Sequence, residues 1–238
     1  MFLGGWVDLG MIRYITLLLF IGLAYWSCED EPEDCAGVAS GTAFINDCGE
    51  CVGGGTGLDE AYCGTVTDID GNVYNTVIIG DQVWMAENLI VTHYRNGDEI
   101  PTGYSNNDWT TLSTGAYAVY SDNSANVVTY GNLYNWYALD DNRKIAPEGW
   151  HIPTDDEWQV VVDYLGGNPG GKLKKTGTTH WSSPNTGATN ESGFTAIPGG
   201  YRVYGGSYNY MGSFCYFWSS TETNTSSGWY RKLYYNSS

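Results

Sequence analysis

The sequence predicts a loop-rich α+β domain of short antiparallel strands and about two helices, and three observations carry that prediction. Glycine supplies 32 of the 238 residues, near twice its usual share, which favours turns and ordered loops over long regular elements. The large side chains are 20 Tyr and 10 Trp against 6 Phe and 4 Met, so the core is expected to be shallow and rimmed by aromatic groups that keep a polar handle near water. Only one window carries a full helix signature, whereas Asp-Gly between β-branched runs marks a hairpin.

The chain opens on an apolar run, 14–26, preceded by Arg13 and closed by Ser27-Cys28. That is long enough for the core of an export signal and short for a membrane span. Residues 1–27 are therefore read as a signal peptide, with translation expected to begin at Met11, because residues 1–10 carry Asp8 and no base. Leu23-Ala24-Tyr25-Trp26-Ser27-Cys28 resembles a bacterial lipoprotein signal, which implies lipidation of Cys28 and attachment to the membrane through a lipid anchor only. The run Glu29-Asp30-Glu31-Pro32-Glu33-Asp34 resembles the surface-export signal of Bacteroidetes-type lipoproteins, so the expected address is the outer face of the bacterial outer membrane. Ordinary secretion, with Cys28 as a disulfide partner, is the alternative.

Residues 28–64 read as an acidic linker rich in Cys and Gly. Between Cys28 and Asp70 there are 11 acidic residues and no Lys or Arg, while residues 71–238 hold 15 acids and 9 bases, a net of −6. The total of −17 opposes binding to nucleic acid, which is not an expected partner. Cys35, Cys48, Cys51 and Cys63, interleaved with Gly and Asp, resemble the short Asp-Cys-x-Gly spacer repeats of bacterial surface proteins. In an exported chain four cysteines are expected to form two disulfides, with three connectivities open. Cys48-x-x-Cys51 also has zinc-like spacing, but a ribbon needs a second such pair, so no metal site is assigned. No cofactor is implied either.

Residues 65–238 form the main domain. The runs 65–70 and 73–79 flank Asp70-Gly71-Asn72, a hairpin turn, and a second turn at Gly80-Asp81-Gln82 leads into 83–89. Asp68, Asp70 and Asn72 are read as turn residues in preference to a metal loop. A helix is expected over 132–139, with Leu133, Trp136 and Tyr137 on one face. The clearest helix runs over 154–165: Thr154 and Glu157 make a capping box, Trp158, Val161, Val162 and Leu165 share a face, and Gly166-Gly167 ends it. Beyond Gly171 a helical turn at 172–175 is followed by loops and short strands, including 215–221 and 228–233.

Five motifs then carry a resemblance: Gln82-Val83-Trp84-Met85-Ala86-Glu87-Asn88-Leu89; Tyr130-Gly131-Asn132-Leu133-Tyr134-Asn135-Trp136-Tyr137-Ala138; Gly149-Trp150-His151-Ile152-Pro153-Thr154 with Glu157-Trp158; Pro198-Gly199-Gly200-Tyr201-Arg202; and Trp218-Ser219-Ser220-Thr221. In this order they resemble the Fibrobacter succinogenes major paralogous domain, over nearly all of 68–238. The resemblance implies an exported, often lipid-anchored protein with no established biochemical activity. The helix motif and the Gly-Gly-Tyr-Arg segment are also similar to the formylglycine-generating-enzyme branch of the C-type-lectin-like fold. Members of the family usually continue past Tyr-Asn-Ser-Ser with a strand ending near an Arg-Cys pair, so the chain reads as a shortened domain in which Cys215 lacks a partner.

Catalysis has little to stand on. The formylglycine-generating branch relies on two closely spaced cysteines that hold copper, and this domain has Cys215 alone. His93, His151 and His180 are scattered, and Asp156 and Glu157 belong to a helix start, so no catalytic residue is assigned and the chain is not expected to be an enzyme. Binding fits better. Tyr201, Tyr204, Tyr208, Tyr210 and Trp218 are the ligand-binding candidates, the segment 201–210 reading as an exposed aromatic loop. The expected role is a non-catalytic cell-surface recognition or adhesion domain, with an extracellular polymer, a glycan among them, or a surface protein as partner. An enzyme of unrecognised chemistry and a purely architectural surface component are the alternatives.

Overall fold

The computed structural model describes residues 31–46, 49–58 and 64–238. They fall in two compact units, one within residues 1–62 and one within 63–238. Cys28, Cys48 and Cys63, with the signal sequence, lie outside the described residues.

In the first unit β1 (Phe44–Ile45) pairs antiparallel with β2 (Cys51–Val52). Cys51 is joined to Cys35 in a disulfide, which selects among the three connectivities and commits the Cys51 sulfur to a bond other than zinc. Asp34 organises the loop beside it, accepting from the amides of Val38, Ala43 and Ala36, and those bonds hold its carboxyl below the ordinary value.

The second unit begins with a three-stranded antiparallel sheet, β3 (Thr65–Thr67), β4 (Val73–Ile79) and β5 (Gln82–Met85). Its first turn is held by Asp68, whose carboxylate accepts from the amides of Asp70 and Asn72 and from the Tyr74 hydroxyl. Asp70 turns elsewhere and accepts from the Thr92 amide and hydroxyl. Asp68 thus fills the expected turn role, whereas the Asp70 carboxylate bonds outside the turn.

Short elements follow: α1 (Asn106–Trp109), β6 (Tyr117–Ala118), two 3-10 turns at Tyr120–Asp122 and Ser124–Asn126, α2 (Val127–Tyr130), β7 (Leu133–Tyr134) and α3 (Trp136–Asp140). The helix expected over 132–139 is thus two elements. Leu133 and Tyr134 pair with Ala118 and Tyr117, and Asn135 starts the helix by accepting from the Ala138 amide, a cap that demands extended backbone at Asn135 itself.

α4 (Asp155–Leu165) keeps both bonds of its capping box and buries Trp158, Val161 and Leu165. α5 (Pro169–Leu173) starts earlier than the turn read at 172–175, because Asn168 caps it and Pro169 supplies a preset first-turn φ. Lys174 then leaves the helix to bridge Ala196. Among the described residues five α-helices, four of them only four or five residues long, replace the two anticipated.

The chain closes with two hairpins: β8 (Tyr201–Arg202) with β9 (Tyr208–Asn209), and β10 (Phe214–Asn224) with β11 (Ser227–Tyr234). The segment 201–210, read as a loop, is therefore a small hairpin.

The core is aromatic. Trp84 packs on Trp158 with ring centroids 4.6 Å apart, Phe194 stands edge-on to both, and Phe217 lies tilted on Trp158. Trp181, wholly buried, donates its Nε1 proton to the Ala196 carbonyl. A second cluster gathers Val91, Tyr94, Ile100 and Leu139, and a third Trp109, Ala116 and Ala118. Buried Lys174 ties the end of the chain down, its Nζ donating to the carbonyls of Thr186, Tyr234 and Ser237.

Candidate functional site

Alternation along β10 gives the terminal hairpin two different faces. Cys215 and Phe217, with Leu233 across the ladder, turn into the core cluster around Trp158. Phe214, Tyr216 and Trp218 take the other face, opposite Tyr234, Lys232 and Tyr230 in register. Those six positions carry five rings and one ammonium.

The rings touch in sequence. Phe214 stacks on Tyr234 at 4.4 Å and 13°, Tyr216 meets Tyr230 at 5.3 Å, and Tyr230 stands edge-on to Trp218 at 6.3 Å. The neighbouring hairpin extends the row: Tyr201 lies 4.6 Å from Tyr216 and stacks on Tyr210 at 5.9 Å and 19°. Burial and crowding by Tyr201 and Tyr230 push the Tyr216 phenol up to about 12. At the far end Trp218 is held by its Nε1 bond to the Tyr134 carbonyl and packs on Trp136 at 6.0 Å. Gly228 is required there, since a Cβ would run into the Trp136 ring.

Although built into a sheet, the ribbon remains accessible: Tyr210 is 56% and Tyr230 52% exposed. Tyr210 also holds a positive φ of 62°, a conformation that costs a bulky residue on the order of 1–3 kcal/mol and that points its ring back over Tyr201. Tyr201, Tyr216, Trp218 and Tyr230 line a groove of 1620 Å³. Asn132 Oδ1 and Trp136 Nε1 belong to that lining and are buried without a hydrogen-bond partner, one acceptor and one donor that a ligand or water can satisfy.

Of the residues singled out from sequence, Tyr201, Tyr210 and Trp218 come together in the ribbon. Tyr204, 81% exposed, lies in the turn between β8 and β9 and also lines the groove. Tyr208 is separated from them by its packing: its hydroxyl donates to Asp122, its ring meets Tyr120, and Arg202 lies over it at 4.9 Å. Arg202 in turn covers Trp109 at 4.2 Å and donates to the carbonyls of Gly206 and Tyr104, so the Arg of the Gly-Gly-Tyr-Arg segment braces the hairpin. Phe214, Tyr216, Tyr230, Lys232 and Tyr234 escape a reading that looks for loops; the two-residue period within 214–218 and 230–234 is the signal that marks them.

The histidines sit apart. His93 pairs with Asp70, and His151 Nε2 is 2.9 Å from Glu157 Oε1. His180 is flanked by Tyr130 and Lys175. Among the described residues no three His, Cys, Asp or Glu side chains converge as metal ligands would. Cys215 is a buried free thiol, pushed upward by its burial, and thus poorly suited to nucleophilic work.

Neither a curated protein nor a solved structure matches the chain. The model of the Fibrobacter succinogenes major domain matches residues 77–238, from β4 through β11, a span that contains the whole ribbon. The chain therefore belongs to the Fibrobacter succinogenes major domain family.

Proposed function

We propose that this domain is a non-catalytic recognition module that lays an extracellular polysaccharide along the ribbon formed by Tyr210, Tyr201, Phe214, Tyr216, Tyr230 and Trp218. The accessible row of touching rings carries the reading. A pyranose ring has a flat face of C–H bonds and an edge of hydroxyls, so it gains by stacking on an aromatic face while its edge bonds to phenols and amides. A contiguous exposed aromatic patch on an otherwise hydrogen-bonded surface marks an interaction site.

The paired groups that suggest acid and base chemistry have structural duties. Glu157 is consumed by the α4 cap and by His151, and Asp70 by Thr92 and His93. The lipoprotein-like Leu23–Cys28 segment and the acidic run behind it support display on the bacterial surface through a lipid on Cys28. The family motifs support a C-type-lectin-like arrangement of these short elements.

Pull-down on insoluble polysaccharides together with a glycan array, using the full chain and its Tyr216→Ala and Tyr230→Ala variants, tests the function. Retention of the parent and its loss in both variants is the expected result; no retention on any polymer overturns it. Metabolic labelling with a fatty-acid probe tests the anchor separately, and an unlabelled mature protein would exclude it.

A further inference from the structure

We propose that the polysaccharide is an acidic one, and that Lys175, His180 and Tyr130 form the site for its carboxylate or sulfate group. The inference rests on the polysaccharide reading of the ribbon and adds the charge of the ligand.

Lys175 and His180 flank a tight loop after α5. The Lys175 Nζ lies 3.4 Å from His180 Nε2, and the Tyr130 hydroxyl lies 3.5 Å from His180 Nδ1 on the other side. The Tyr130 ring meets the imidazole edge-on at 5.9 Å. Three side chains able to donate thus converge, all partly exposed and all lining the groove. Among the described residues Lys175 forms no ion pair, whereas Lys172, three positions earlier, reaches Glu191. The Lys175 ammonium, bonded to the neutral His180 ring and to no carboxylate, keeps its full charge for an anion.

The rest of the lining agrees. Its two carboxylates, Glu87 and Glu157, are already occupied: Glu87 accepts from the Asn75 amide and side chain, and Glu157 from Thr154 and His151. Lys175, Arg202, His151 and His180 face them in the same groove. On a chain whose formal charge is −17, a groove in which Lys175 and Arg202 balance both carboxylates is a local neutral zone, and it continues into the ribbon. Gly199 packs against Tyr130, where a Cβ would come within 3.3 Å of the Tyr130 carbonyl, and Gly200 leads directly to Tyr201. At the opposite end Lys232 sits over Phe214 at 5.3 Å, a second cation beside the same row of rings. Burial and the Lys175 charge hold His180 below its ordinary value, so the imidazole stays ready to take up a proton when an anion arrives.

The test compares binding of the full chain to polygalacturonate and to its methyl ester, and to dextran sulfate and dextran, at low and high salt. The two pairs separate a carboxylate source from a sulfate one. Preference for the charged member of at least one pair, about tenfold at low salt, is expected from one charge-assisted site, and it should shrink at high salt, where the screening length falls to a few ångströms. Lys175→Gln and His180→Ala should remove the preference while leaving binding to the neutral polymers unchanged, and Lys175→Arg should retain it; circular dichroism confirms the fold of each. Equal affinity for charged and neutral members, or a preference undiminished by Lys175→Gln, overturns the anion site and leaves the ribbon standing. Loss of the neutral binding as well as the charged in Tyr216→Ala, with the preference gone only in the Lys175 variant, supports both readings.

Discussion

Phe214 and Tyr234 stack nearly parallel, 4.4 Å between centroids, directly across the β10 and β11 register. Cross-strand aromatic pairs of this kind are worth roughly 0.2–1 kcal/mol each, so the exposed face is held stiff by its own rings while the opposite face is anchored in the core. Binding and stability should therefore separate. Tyr216→Ala and Tyr230→Ala are expected to abolish retention on a bound polysaccharide with a stability loss of about 1 kcal/mol, whereas Trp158→Ala, in the buried cluster, should cost about 3–5 kcal/mol. Denaturant titration of the three variants beside the pull-down checks the contrast, which a purely structural ribbon would not show.

Lys174 offers a second prediction. Its ammonium is wholly buried and satisfies three carbonyls, those of Thr186, Tyr234 and Ser237, and burial drives it below the ordinary lysine value. Lys174→Met keeps most of the apolar stem but leaves the carbonyls without a donor, at an expected cost of about 3 kcal/mol or more. Hydrogen exchange should show the loss first in β11 and in the turn around Thr186. An unchanged protection pattern would mean that water replaces the ammonium without cost.

Acid should weaken the main domain from a definable point. Burial alone would raise Asp70 and Glu157, but hydrogen bonds from Thr92 and His93 to the first, and from Thr154 and His151 to the second, outweigh it and hold both carboxyls below their ordinary values of 3.8 and 4.5. A carboxyl lowered by folding contributes stability that is complete above its unfolded value and is lost as the pH falls through the folded one. The melting temperature should hold from neutrality down to about pH 5 and then fall. Glu157→Gln should lower the plateau and shallow the acid limb in calorimetric scans. An acid limb as steep as the parent's would remove Glu157 from the explanation.

The first unit depends on its crosslink. Cys35 and Cys51 are 16 positions apart, and closing a loop of that length contributes about 3 kcal/mol to a segment whose strands are two residues each. Cys35→Ser should abolish amide protection in β1 and β2 while that of β4 and β10 stays at the parent's level. Parallel loss in both would show that the units do not fold separately.

What could be read in advance follows from how local the physics is. The α4 helix is legible because Thr154 and Glu157, three residues apart, define its start and the spacing of Trp158, Val161 and Leu165 its buried face. The β3 and β4 hairpin is legible because Asp70-Gly71 closes it within a few residues. The helix over 132–139 is misplaced because Leu133 and Tyr134 are claimed by strand partners at Tyr117 and Ala118, a pairing no local pattern announces. The site behaves likewise. Tyr201, Tyr210 and Trp218 stand out by type, but their companionship with Tyr216 and Tyr230 is set by the register of two strands, and the grouping of Tyr130 with Lys175 and His180 by a contact to His180 50 positions away. Tyr208 shows the converse: the same residue type in the same segment is drawn away by Asp122 and Arg202.

The packing of Tyr216 and Tyr230 beside Trp218 makes the site an optical antenna. Light absorbed by tyrosines at these separations passes to a neighbouring indole before it is emitted, and Trp218, whose Nε1 bond to Tyr134 fixes its orientation, is the indole that Tyr230 meets. A molecule laid along the face changes both the relay and the polarity around the indole, so occupancy of the groove is expected to change the protein's own emission, without a label.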